Sequence, residues 1–173
     1  MKNPKKILIA NRGVIAIRAL RAAKELGYQV ASVYSTIDKD QKHLKLSDEA
    51  ICIGPAASKD SYLNEAAIIA AAELVGADAI YPGYGFLAEN SSFAEKCNQS
   101  GFKFVGPDPK VIEIMGDKIK AKELIESLGV PIVPGYTGNI QSQDQIENIV
   151  DEIGYPVIAV SYTHLTLPTN GEV

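Results

Sequence analysis

Residues 6–10, Lys-Ile-Leu-Ile-Ala, are apolar at successive positions after the lysine. A strand wetted on one face alternates polar with apolar; one that is apolar throughout is covered on both faces, as in a parallel sheet. Asn11-Arg12-Gly13 then turns the chain. Residues 14–26 have helical period: Ile15, Ala16, Ala19, Leu20, Ala22, Ala23 and Leu26 form one stripe, while Arg18, Arg21, Lys24 and Glu25 face elsewhere. Gly27 sits where a left-handed C-cap belongs, and residues 29–35 are a second β-rich run. The β-α-β order predicts an α/β fold on a parallel sheet with a right-handed crossover.

The pattern continues. Residues 38–42 read as a polar loop or short helix, and 49–53 as a third strand stopped by Gly54-Pro55. Asn64 is placed to cap a helix over 65–75 that ends at Gly76. Residues 77–81 form strand four, the loop Pro82-Gly83-Tyr84-Gly85 follows, 86–100 read as mostly helical, and 103–106 as strand five. The style then shifts. Asp108-Pro109 is an N-cap with proline at the first helical position, for a helix to Met115. Asp117 caps a helix over 118–128, which Gly129 stops. Residues 130–135 are extended and proline-punctuated, like a linker. Residues 142–153 are amphipathic, with Ile146, Ile149, Val150 and Ile153 on one face, and 154–158 open a strand. A domain boundary is expected within 130–137.

Composition narrows the function. The chain is 46% hydrophobic and 22% charged, ordinary for a globular protein. A net charge of −4 and a pI of about 5.2 leave no basic footprint for nucleic acid. No apolar stretch approaches the roughly 18 residues a membrane span needs, and the opening apolar run is too short for a secretory signal. Cys52 and Cys97 are the only cysteines; they suit two buried, reduced thiols rather than a metal site, and a cytoplasmic location is expected.

Three loops carry candidate chemistry. Asn11-Arg12-Gly13 lies between a strand and a helix, where open α/β sheets hold ligands. It has one glycine where a dinucleotide fingerprint needs three. Arg12 there suits an anion near a helix N-terminus, though a plain turn explains the residues as well. In Pro82-Gly83-Tyr84-Gly85 two glycines flank an aromatic at a strand's end. Glycine admits positive φ and close approach, and the aromatic can offer a flat face to a planar ring. A tight turn with a packed Tyr84 fits equally. Lys118 opens a helix, a poor place for a cation on dipole grounds unless it meets a phosphate; a surface lysine is the commoner explanation.

Taken together, the segments I-A-N-R-G, S-Y-L-N, P-G-Y-G-F-L-A-E-N, G-F-x-F-V-G-P and M-G-D-K resemble the biotin carboxylase family in order and spacing, over residues 5–158. The resemblance implies a Rossmann-like pre-ATP-grasp domain at 1–129, then a linker and the beginning of an ATP-grasp domain at 130–158. It implies an ATP-dependent ligase that carboxylates biotin on a carrier protein with bicarbonate, using magnesium or manganese. It matches Lys118 to an ATP-contacting lysine and Tyr84 to a tyrosine at the biotin site, with Gly83 and Gly85 shaping that loop. It matches Arg21 and Glu25 to the helix that pairs subunits; spaced four apart, they also suit an ordinary intrahelical ion pair. No catalytic residue or metal ligand is carried over. The implied partners are a biotin carboxyl carrier protein, a carboxyltransferase and a second copy of the chain, with no nucleic acid and no membrane. Acetyl-CoA carboxylase is the expected setting, with pyruvate or propionyl-CoA carboxylase as alternatives.

Two departures stand out. Val14 occupies the place where the family usually has glutamate, beside Arg12. From Ala159 onward the residues read like a translated sequencing adapter, so 159–173 are expected to be a non-native tail on a fragment that is itself inactive. Rival readings are another ATP-grasp ligase of the carbamoyl-phosphate synthetase type, which P-G-Y-G-F-L-A-E-N and S-Y-L-N oppose, and a Rossmann-like module that binds a nucleotide without catalysis.

Overall fold

Leu8 and Ile9 are both fully buried, yet they belong to different apolar clusters. That is why the first strand is apolar at successive positions: side chains alternate across a sheet covered on both faces. The computed structural model describes residues 5–136 and 142–158, so the tail expected at 159–173 lies outside the described residues. The chain divides into two compact units, Met1–Glu113 and Ile114–Val173.

In the first unit, β1 (Lys6–Ile9), α1 (Gly13–Glu25), β2 (Gln29–Ser35), α2 (Lys42–Leu46), β3 (Glu49–Gly54), α3 (Glu65–Leu74), β4 (Ala79–Tyr81), α4 (Ser91–Gln99) and β5 (Lys103–Phe104) follow in order. All strand pairs are parallel and the sheet order is β3-β2-β1-β4-β5. On one face Ala16, Leu20 and Ala23 of α1 pack with Ile9 and Val30. On the other, Ile68 and Ala72 of α3 and Phe93 and Cys97 of α4 pack with Leu8, Val33 and Ile80. The α1 stripe is narrower than its sequence suggests, since Ala22 is exposed and Leu26 is 74% exposed.

The predicted cap of α3 forms, Asn64 accepting from the Ala67 amide, and Asn90, which the sequence places inside a helix over 86–100, accepts from the Phe93 amide as the cap of α4. Asn90 also donates to Glu65, which pairs with Lys96 and so ties α3 to α4. Two expectations are corrected. Helix α4 begins at Ser91, not at Phe86, because Phe86 has a φ of 42°, outside the helical region. Cys52 is exposed on β3, the edge strand, and only Cys97 is buried; burial holds the Cys97 thiol protonated, its pKa raised to about 12.

Helix α5 (Pro109–Gly116) carries the chain into the second unit, which holds α6 (Lys118–Ser127) and α7 (Gln143–Ile153). Asp117 accepts from the amides of Ile119 and Lys120, and Ser142 accepts from that of Gln145. Neither helix buries a residue fully. No strand forms over 154–158, where the sequence opens one.

Candidate functional site

In the order β3-β2-β1-β4-β5 the chain moves outward from β1 in one direction and then, with β4, in the other. Ligand crevices in such sheets lie beyond the carboxyl ends of the two strands at that switch. Those ends are Asn11 and the loop Pro82-Gly83-Tyr84-Gly85, the places the sequence singles out.

Asn11 is completely buried and joins the two loops. Its Nδ2 donates to the Pro82 carbonyl at 2.7 Å and to the Tyr84 carbonyl at 3.0 Å, while its Oδ1 accepts from the Arg12 amide at 2.8 Å. Gly83 lets the loops approach: a Cβ there would lie 2.6 Å from Ile15 Cγ2 and 3.0 Å from Asn11 Nδ2. Gly83 and Gly85 have φ values of 73° and 70°, which an L side chain rarely adopts. The result is a turn whose backbone is anchored from below and whose aromatic is offered outward, with Tyr84 64% exposed. Within this segment Tyr84 is not packed against the core.

Arg12 is held rather than free. Its guanidinium lies 5.3 Å from the Tyr62 ring centroid and 5.5 Å from that of Phe86, and those rings stack at 4.9 Å. Its Nη1 donates to Asp38 at 3.3 Å. Asp38 is buried and also accepts from Ser35 Oγ at 2.7 Å and from Tyr62 Oη at 2.8 Å. Burial alone raises the Asp38 carboxyl pKa, but the Ser35 and Tyr62 hydroxyls and Arg12 outweigh it and hold it below the usual carboxylate value. Tyr62 is pushed up, by burial first and then by Asp38. The anion near the helix start is thus one of the chain's own residues. Composition marks 38–42 as polar loop and 29–35 as strand, which gives Asp38 and Ser35 no functional signal; only Tyr62, inside S-Y-L-N, carries one.

Beside this network His43 of α2 is fully buried. Its Nε2 lies 3.4 Å from the Val33 carbonyl and its Nδ1 has no hydrogen-bond partner. Burial lowers its pKa against the opposing pull of Val33 and Asp38.

The remaining sequence-predicted residues lie elsewhere. Arg21 and Glu25 are exposed on α1, and among the described residues no salt bridge joins them. Lys24 instead pairs with Asp48 at 2.7 Å. Lys118 is exposed at the start of α6 in the second unit. Among the described residues no group of His, Cys, Asp and Glu could hold a metal ion, and no helix is long and apolar enough to cross a membrane.

A doubly wound parallel sheet with its strand order reversing between β1 and β4 defines a Rossmann-like α/β domain. Residues 3–112 match the profile of the biotin carboxylase N-terminal domain, and 117–164 that of the carbamoyl-phosphate synthase L chain ATP binding domain. The chain belongs to the biotin carboxylase family. It is 57% identical over 155 residues to a biotin carboxylase of Haemophilus influenzae, covering 88% of this chain and 34% of that protein. Its structure resembles the biotin carboxylase domain of a thermophilic 2-oxoglutarate carboxylase bound to bicarbonate, with a TM-score of 0.86 at 49% identity, over 91% of this chain and 35% of that one. A dimer of the Hydrogenobacter thermophilus 2-oxoglutarate carboxylase domain with MgADP, ADP and bicarbonate gives a TM-score of 0.81 at 49% identity, over 90% and 34%. The chain spans about a third of the length of the curated relatives it matches.

Proposed function

We propose that the complete protein carrying this segment is an ATP-dependent biotin carboxylase, which uses bicarbonate to carboxylate biotin held on a carrier protein. The observation that carries this reading is Tyr84, exposed on a glycine-flanked turn at the switch point of a sheet whose family is known. On this reading Tyr84 lies along the planar ureido ring, with Gly83 and Gly85 setting its turn, and Lys118 meets the phosphates of ATP. ATP supplies the phosphoryl group that activates bicarbonate. The chain's own part is to bind and orient: an aromatic face for one ligand, a cation for the other. The described residues offer no ligand set for magnesium or manganese, so no metal-dependent step is assigned to them.

The pre-ATP-grasp domain at 1–129, the start of an ATP-grasp domain at 130–158 and a non-native tail at 159–173 belong to the same proposal. So do a dimer, as in the dimeric relative, its pairing through Arg21 and Glu25 on α1, a cytoplasmic location, and partnership with a biotin carboxyl carrier protein and a carboxyltransferase. Acetyl-CoA carboxylase, and with it fatty acid synthesis, is the proposed setting. A keto-acid carboxylase is the second reading, favoured by the likeness to 2-oxoglutarate carboxylase domains.

The test is ATP cleavage by the complete protein. ADP release should require bicarbonate and rise with biotin. Lys118→Gln should raise the KM for ATP by roughly tenfold, the loss of about one charge-assisted hydrogen bond. ATP cleavage indifferent to biotin contradicts the assignment.

A further inference from the structure

We propose that Asn11 is a positioning residue for biotin: it sets the backbone of the Tyr84 turn and so the angle at which the Tyr84 ring is presented. The inference rests on the reading of Tyr84 above and goes beyond it, since Asn11 touches no proposed ligand.

Among the described residues Asn11 spans both ends of the turn: a single amide nitrogen donates to the Pro82 carbonyl at 2.7 Å and the Tyr84 carbonyl at 3.0 Å. Those two acceptors flank Gly83, whose φ of 73° an L side chain rarely adopts. The orientation of the amide is itself fixed, because Oδ1 accepts from the Arg12 amide at 2.8 Å. Only a carboxamide meets all three demands: a donor with two hydrogens toward the loop and an acceptor toward the backbone N–H. Asn11 is also fully buried, so water does not compete for these bonds. Tyr84, by contrast, is 64% exposed, and the ring itself gains little restraint from packing. Its direction therefore depends on the carbonyl that follows its own Cα, and that carbonyl is in Asn11's grip. A ring whose stacking partner is planar is sensitive to such a tilt, because a misplacement of about 1 Å can cost on the order of 100-fold in rate.

The experiment uses the complete protein and steady-state kinetics with free biotin. Asn11→Ala should raise the KM for biotin about tenfold or more, leaving the KM for ATP and for bicarbonate within about twofold. Asn11→Asp, the isosteric variant, keeps the acceptor for Arg12 but turns an oxygen on the two carbonyls, and should show the same selective rise; it serves if the alanine variant does not fold. Tyr84→Ala is the reference, and adding Asn11→Ala to it should change the KM for biotin no further. A Tyr84→Ala enzyme with unaltered biotin KM overturns the Tyr84 assignment and this proposal with it. An impaired Tyr84→Ala enzyme beside unaltered Asn11 variants overturns this proposal alone. So does an Asn11 effect spread evenly over all three substrates, or one fully additive with Tyr84→Ala.

Discussion

A carboxylate enters a protein interior only with partners, and Asp38 has three: Ser35, Tyr62 and Arg12. Its folded pKa is lowered, so the folded state binds fewer protons than the unfolded one in acid. The stability it contributes is present above pH 3.8 and is lost as pH falls through the folded value. Asp48 and Asp78, also lowered, act in the same window: Asp48 through Lys24 and the Val30 amide, Asp78 through the amides of Lys6 and Lys5. His43 acts nearer neutrality. Burial lowers its pKa below 6.5, so the unfolded chain takes up the proton first, and stability present above pH 6.5 declines as pH falls below it. Denaturant titrations of the chain across pH should therefore show two declines. Asp38→Asn should cost about 2 kcal/mol at neutral pH, in the range for hydrogen bonds to a charged group, and shrink the lower decline. His43→Leu should remove the upper one; an upper decline that survives it contradicts the account of His43.

At the scale of elements, helix α1 starts without help. Arg12 at its N-cap makes no side-chain cap, and its first turn holds no acidic residue. Val14, where the resemblance leads to an expectation of glutamate, is 65% exposed there. Val14→Glu should stabilise the chain by about 0.3–1 kcal/mol through the helix dipole, read as a higher denaturation midpoint at low salt that narrows as salt is added; a lower midpoint contradicts it. Elements of this kind were readable because their signals are local. The period of α1, the asparagine cap of α3 and the consecutive apolar residues of β1 all act within a few residues. The start of α4 was not readable, since Phe86 follows the helical pattern while its backbone serves the Tyr84 turn. Asp38 was hidden for a related reason: its burial is decided by Arg12 and Tyr62, each at least 24 residues away in sequence.

For the molecule as a whole, sheet order turns scattered motifs into one site. I-A-N-R-G and P-G-Y-G-F are about 70 residues apart, and the Asn11–Pro82 bond joins them at the carboxyl ends of neighbouring strands. Part of P-G-Y-G-F-L-A-E-N proves to be scaffold: Leu87 fills the core, Phe86 stacks on Tyr62 and Asn90 caps α4. The account holds that this segment binds and orients while the reacting groups reside in the rest of the carboxylase. The most direct measurement is ADP release with bicarbonate and biotin, run side by side on the 173-residue chain and on the complete protein. The prediction is no turnover above background for the chain and biotin-stimulated turnover for the complete protein; biotin-dependent turnover by the chain alone would contradict it.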